Sequence, residues 1–338
     1  MIEQNWSGRG QHTEFRRDEQ KLINDILQVQ DTLGSTRTAI VQSVNCRRIL
    51  LARKTITCGK HTMRKEEVLK EVSHLTRLKH AHILRLIGTY VRGRELSILL
   101  YPVADYNLEG FLEAFRARNS LSAKLTDNLI DDMEYSINGF YACLGSAVAY
   151  IHQHLTKHMD IKPQNILIRK QAYDHRGHNR SRVLFKAYVA DFGIARAYEK
   201  LEETETDGCT SFTKRYAAPE VVRQEVRGLP ADIFSLGCVY MEIGTTAGSR
   251  EENTVLMILN ANPHGDTSFQ ANVHELQAHL KTLSTAWYIW TPIVKMLSSD
   301  PKARPTARDL VVYFGEHSCC TTGPDKLEVM EKDRLEEE

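Results

Sequence analysis

The chain has 338 residues, 42% of them apolar and 26% charged. These are the proportions of an ordinary globular enzyme, too long for one minimal domain and short for three. Its 44 basic and 43 acidic side chains leave a formal charge of +1, which excludes nucleic acid or an anionic membrane as a partner drawn by bulk charge.

In chain order, residues 1–23 are polar and are expected to form a flexible segment. ILQVQDTL, AIVQSV, RILLARKTI, ILRLIGTYV and ELSILLYPV follow as short apolar or alternating runs and predict strands. One helix interrupts them, marked by Val68, Val72 and Leu75 at spacings of four and three. After Pro102 the pattern turns helical. Phe140, Leu144, Val148, Ile151 and Leu155 step along one face, and ADIFSLGCVYMEI and WYIWTPIVKML are further helices. A small sheet lobe (24–102) before a larger helical one (103–318) suggests a ligand cleft, with 319–338 as a charged tail. No apolar run reaches 18 residues, so no membrane span is expected, and the polar start carries no signal segment. Seven irregularly spaced cysteines give no disulfide framework and predict a reducing, intracellular compartment, cytoplasmic or nuclear. Cys319 and Cys320 read as surface thiols, with lipidation as the alternative.

The chemistry concentrates in His158-Met159-Asp160-Ile161-Lys162-Pro163-Gln164-Asn165. An aspartate and an asparagine five residues apart on a tight loop face one reacting group. Asp191-Phe192-Gly193 lies 26 residues past Asn165, after the alternating run Val183–Val189, and Ala218-Pro219-Glu220 closes a 30-residue segment begun at Asp191. Each triplet alone is weak; in this order and context the set resembles the catalytic loop, metal-binding triplet and activation segment of protein kinases. The resemblance runs from about residue 26 to 316. It implies an α+β, two-lobed fold with an antiparallel-sheet N-lobe carrying one helix and a mainly helical C-lobe. It also implies ATP and Mg²⁺, protein substrates bearing serine or threonine, and a monomer as default.

Residue by residue, the resemblance makes Asp160 the proton acceptor, Lys162 the neutraliser of phosphoryl charge, and Asn165 and Asp191 the magnesium ligands. Lys54, in Leu50-Leu51-Ala52-Arg53-Lys54, would hold the α- and β-phosphates and pair with Glu71 on the lobe's helix. Leu33-Gly34 to Val41 align with the glycine-rich flap, keeping its first glycine and its valine. Thr36 and Ala39 stand where glycine allows positive φ, which predicts roughly 1–2 kcal/mol of strain at such a position and a stiffer, poorer flap. Val41, Ala52 and Leu167 would sandwich adenine, Leu100 would guard a back pocket, and Tyr101 and Val103 would read the adenine edge. Asp232 would accept hydrogen bonds from the catalytic loop, and Arg304 would pair with Glu220.

Lys162-Pro163 and Thr213 match the serine/threonine branch. Met159 replaces the arginine that in the family receives an activation-segment phosphate, so activity is expected to depend little on phosphorylation there. Thr204, Thr206, Thr210 and Ser211 are candidate phosphosites, and Lys214 and Arg215 alternative phosphate receptors. His152, His154 and His158, drawn together, would suggest zinc, but helix end and catalytic motif account for them, and Cys46 and Cys58 lack zinc-site spacing. The runner-up function is a kinase-like scaffold that binds partners with little phosphotransfer, resting on the degraded flap; a small-molecule kinase is disfavoured by Ala218-Pro219-Glu220 with Thr213. The insertion at 172–182 has no assigned role.

Overall fold

The computed structural model describes residues 5–36, 39–59, 65–121, 128–173, 182–193, 195–206, 212–248, 254–282 and 287–328. Contacts divide the chain into two units. The first takes in the chain to Lys79, Leu84–Val103 and the chain from Pro324; the second takes in His80–Ile83 and Ala104–Gly323.

The first unit holds β1 (His12–Phe15), α1 (Gln20–Ile26), β2 (Gln28–Ser35), β3 (Ala39–Cys46), β4 (Ile49–Thr57), α2 (Lys65–Arg77), β5 (Arg85–Arg92) and β6 (Glu95–Tyr101). Six strands form one sheet in the order β1-β5-β6-β4-β3-β2. All pairs are antiparallel except β1 with β5. On α2 the 4–3 spacing does what it predicts: Val68, Val72 and Leu75 are buried while Lys70, Ser73 and Thr76 are exposed.

Strand register sorts the side chains by face. Ala52 and Lys54 are two apart on β4, Val41 pairs with Lys54, and Leu100 pairs with Ala52, so these four share one side of the sheet. Val44, Leu51, Leu99 and Tyr101 turn to the other side. There the segment expected to be flexible is built into the fold. Trp6 and Phe15, 0% and 2% exposed, join Tyr90, Leu51 and Leu99 in one apolar cluster, with Ile26 and Leu327 packed against it. The Trp6 indole donates to the Gln11 carbonyl at 2.9 Å, which satisfies its one polar atom as it is buried. Gly88 admits the ring: a Cβ there would collide with the indole and with the Gln11 carbonyl. Isolated aromatics in a polar stretch carry no periodicity, which hid this layer from the sequence. The presumed tail is likewise packed through residue 328. Tyr101 Oη donates to the Lys326 carbonyl at 3.1 Å, and Arg85 donates to the Asp325 carbonyl at 2.9 Å.

The second unit begins with β7 (Tyr106–Asn107), α3 (Leu108–Leu121), α4 (Asn128–Gln153), β8 (Thr156–Lys157), β9 (Ile166–Tyr173), β10 (Arg182–Val189) and β11 (Arg196–Ala197). It continues with α5 (Pro219–Val222), α6 (Pro230–Gly248), α7 (Thr254–Asn260), α8 (Val273–Thr282), α9 (Trp287–Met296), α10 (Ala307–Phe314) and α11 (Ser318–Thr321). Phe140, Leu144, Val148 and Ile151 are buried on α4. The helix stops short of Leu155, which takes a φ of 50° and turns the chain toward the catalytic loop. α10 begins at a reciprocal cap, Thr306 Oγ1 accepting from the Asp309 N–H and Asp309 Oδ2 from the Thr306 N–H. Together the units give the α+β, two-lobed fold, with β1 and α1 as additions to the expected sheet lobe. Among the described residues no helix is long and apolar enough to cross a membrane. Most of the insertion, 174–181, lies outside the described residues; its ends belong to the β9–β10 hairpin.

Candidate active site

In the second unit β8 and β9 flank the loop that carries Asp160. Its base is Asp232, 1% exposed at the first turn of α6, whose two oxygens accept from the backbone N–H groups of His158 and Met159 at 2.8 Å each. Burial alone would raise the Asp232 carboxyl; the hydrogen bonds it accepts from the His152 ring and the His158 backbone outweigh it and hold the group below its ordinary value. Met159 takes a φ of 70°, a conformation that costs a side-chain residue roughly 1–2 kcal/mol. Its clamped N–H shows what holds it there.

Around Asp160 the polar groups converge. Thr213 Oγ1 donates to Oδ1 at 2.7 Å, and Lys162 Nζ donates to Oδ2 at 2.6 Å and to Thr213 Oγ1 at 2.8 Å. The Asn165 amide nitrogen donates to Asp160 Oδ2 at 2.9 Å and to its carbonyl at 2.8 Å. Because that nitrogen faces Asp160, the amide oxygen of Asn165 faces the other way. The Asn165 carbonyl in turn accepts from the Ala190 N–H at 2.9 Å, tying the loop to the residue before Asp191. Asp191 is exposed with a φ of 61°, and the Phe192 ring packs 4.8 Å from that of His158. His158 Nε2 donates to the Ala190 carbonyl at 3.0 Å, so its Nδ1 is the acceptor for the Asp160 N–H at 3.3 Å. The three histidines considered as a zinc set face separate partners: His152 faces Asp232, His154 the Tyr150 carbonyl, and His158 Ala190.

The segment from Asp191 to Glu220 is fastened at both ends. Near its start β11 pairs with β8. At its close Glu220 meets Arg304 in a bidentate pair, at 2.6 and 2.8 Å, with side chains 3% and 0% exposed. Arg304 also donates to the Ser298 and Pro230 carbonyls, so four of its five N–H groups are bonded at no exposure.

Between the two ends lies a residue the sequence reading missed. Lys157, fully buried, donates to the Thr204 carbonyl at 2.6 Å, to Thr206 Oγ1 at 2.9 Å and to the Arg227 carbonyl at 3.1 Å. Burial lowers its ammonium to about 8. Thr204 is 3% exposed and bonded to the Leu201 carbonyl, and Thr206 is held by Lys157, so neither hydroxyl is presented as a phosphosite in this state. Thr210 and Ser211 lie outside the described residues. The alternative phosphate receptors are engaged as well: Lys214 pairs with Asp266 at 2.8 Å and Arg215 with Glu242 at 3.4 Å.

In the first unit Lys54 Nζ lies 2.9 and 3.2 Å from the carboxylate oxygens of Glu71, which is 2% exposed on α2. The flap differs from expectation. Neither Thr36 nor Ala39 has positive φ, so the strain argument fails. Instead they close the β2–β3 turn, the Thr36 N–H donating to the Ala39 carbonyl at 2.7 Å and the Ala39 N–H to Thr36 Oγ1 at 3.1 Å. Thr36→Gly with Ala39→Gly is therefore expected to leave nucleotide affinity, measured by calorimetry, within about twofold of the parent, because no strain is there to relieve. A gain of fivefold or more would reinstate strain. Leu33, at a bulge in the β2–β3 pairing, is 46% exposed; Gly34 pairs with Val41. Leu100 and Tyr101 are buried, while Val103 and, in the second unit, Leu167 are half-buried.

A sheet lobe with a buried carboxylate on its lysine, and a helical lobe with this loop and a segment locked by an Arg–Glu pair, make up the architecture of a protein kinase. Residues 27–313 match the protein kinase domain, and the chain belongs to that family. It is 26% identical to mitogen-activated protein kinase kinase kinase 2 of Arabidopsis thaliana over 251 residues, 73% of this chain and 33% of that protein. It is 27% identical to mitogen-activated protein kinase kinase kinase ANP1 of the same plant over 277 residues, 80% and 36%. Against myosin light chain kinase 3 of Rattus norvegicus it is 26% identical over 216 residues, 63% and 24%. The chain thus spans about a quarter to a third of the length of these relatives.

Proposed function

We propose that the chain transfers the γ-phosphoryl group of ATP to serine and threonine hydroxyls of proteins. The observation that carries this reading is the Asp160 carboxylate held between Lys162, Thr213 and Asn165. Among the described residues Asp160 Oδ1 accepts from Thr213 alone, which leaves a lone pair for an incoming hydroxyl. That hydroxyl gives its proton to Asp160 as its oxygen bonds to the γ-phosphorus, the bond from phosphorus to the β–γ bridging oxygen breaks, and ADP leaves. Lys162 offsets the charge on the transferring group. In the first unit we assign Lys54, oriented by Glu71, to the α- and β-phosphates. In the second, the Asn165 amide oxygen and the Asp191 carboxylate fit magnesium, which takes one or two carboxylates among oxygen donors. Bound there, the ion supplies charge neutralisation at the phosphates.

Thr213 and Lys162-Pro163 support serine and threonine over tyrosine, and six described cysteines free of disulfides suit a reducing compartment. The scaffold reading rests on the degraded flap, whose glycines are missing; strain at Thr36 does not add to it. The test is phosphorylation of a peptide library with ATP and Mg²⁺, run beside Asp160→Asn; transfer by the parent to serine and threonine peptides is expected, and transfer confined to tyrosine, or none, would refute the assignment.

The segment's fastening bears on its control. Where an arginine waits in the catalytic loop, phosphate supplies its partner and orders the segment. Here Met159 brings no charge, and Lys157 already joins Thr204, Thr206 and Arg227. Treatment with phosphatase, followed by mass spectrometry to confirm loss of phosphate, is expected to change the initial rate by less than about tenfold. A larger fall would show a phosphate receptor at work elsewhere.

A further inference from the structure

Four side chains that no step above uses meet inside the second unit. His82, 0% exposed, lies on the short His80–Ile83 segment, Cys143 is buried on α4, and Cys319 and Cys320 sit together on α11, where Cys320 is only 5% exposed. Of the pair expected to be surface thiols, Cys320 is thus buried and Cys319 half-buried. One ring nitrogen and three sulfurs all lie within 4.8 Å of one another.

Two of their spacings match those of a coordination shell. Cys143 Sγ lies 3.7 Å from Cys319 Sγ, and Cys320 Sγ lies 3.4 Å from His82 Nε2. A tetrahedral zinc ion with Zn–S of about 2.3 Å and Zn–N of about 2.0–2.1 Å places sulfurs about 3.75 Å apart and sulfur and nitrogen about 3.55 Å apart. A disulfide would need about 2.05 Å. The imidazole is set for the same task. His82 Nδ1 lies 2.8 Å from the Ala187 carbonyl on β10, an acceptor only, so Nδ1 carries the hydrogen and Nε2 turns its lone pair to the sulfurs. A backbone carbonyl on the far nitrogen is the usual support of a ligating histidine.

We propose that His82, Cys143, Cys319 and Cys320 bind one zinc ion in a closed, four-coordinate structural site. Three thiols and an imidazole fill the tetrahedron and leave no position for water or substrate, which separates this site from catalysis. The soft thiolates favour zinc over the oxygen-seeking magnesium of the phosphoryl-transfer site. The ion would fix α11, a single turn too short to persist alone, to the middle of α4 and to the His80–Ile83 segment.

The experiment is metal analysis of the full chain, produced in zinc-supplemented medium and purified without chelator. About one zinc per chain is expected, falling below about 0.2 in Cys143→Ser and in Cys320→Ser and staying near one in Cys58→Ser. Should the serine variants fail to fold, cobalt loaded into the parent chain decides: thiolate-to-cobalt charge transfer with tetrahedral d–d bands supports the site, and an octahedral spectrum overturns it. Less than about 0.1 zinc per chain after incubation with zinc also overturns it. So does full retention of zinc in the doubly substituted Cys143→Ser, Cys320→Ser chain.

Discussion

Asp160→Asn is expected to lower kcat for peptide phosphorylation by ~10²–10⁴, the usual consequence of removing a general base. The fold and the affinity for ATP should persist. An amide has the same shape, and either orientation keeps one acceptor among Thr213, Lys162 and Asn165, whose contacts now span 2.6–2.9 Å. The lost quantity is basicity at the atom that takes the hydroxyl proton, so the defect belongs in kcat, with KM for ATP changed by less than about threefold. Steady-state rates with nucleotide titration check this. A variant with near-parental kcat would remove Asp160 from the chemistry, and one with undetectable nucleotide binding would point to collapse of the loop.

The second large effect is on stability. Arg304→Ala is expected to destabilise the second unit by about 3–5 kcal/mol, read from urea unfolding, because it leaves the Glu220 carboxylate buried without its partner. It also removes the arginine's donors to the Ser298 and Pro230 carbonyls. The charge is the main cause, so Arg304→Met combined with Glu220→Leu should recover at least half of the loss, as replacement of buried pairs by apolar side chains commonly does. If the double substitution were worse than the single one, the carbonyl contacts would outweigh the ion pair.

The parts of the site that could be read in the sequence are those in which chemistry and spacing coincide. The Asp160–Asn165 loop, Asp191-Phe192-Gly193 and Ala218-Pro219-Glu220 are contiguous, so each carries its chemistry within a few residues. Lys54 and Glu71 were legible because a strand and a helix of unambiguous period carry them. Lys157 was not, since a lysine beside a histidine looks like any solvated residue until the Thr204 and Arg227 carbonyls close over it. The flap misled for a different reason. Absent glycines imply strain only where the turn demands positive φ, and Thr36 closes this turn with its hydroxyl instead. His82, Cys143 and the Cys319-Cys320 pair span 238 positions; only the packing of α4, α11 and the His80–Ile83 segment brings them together.

The cluster around Trp6 sets a limit on how the gene for this protein is trimmed. A fragment cut to residues 27–313 keeps every residue of the kinase match, yet discards Trp6, Phe15, β1 and Leu327. Leu51, Tyr90 and Leu99 would then face water, and β5 would become a bare sheet edge, the combination that draws chains into aggregates. Such a fragment would emerge as a recombinant protein that precipitates or needs a chaperone, and its poor behaviour would pass for a defect of the enzyme. A piece that keeps this cluster whole starts before Trp6 and ends after Leu327.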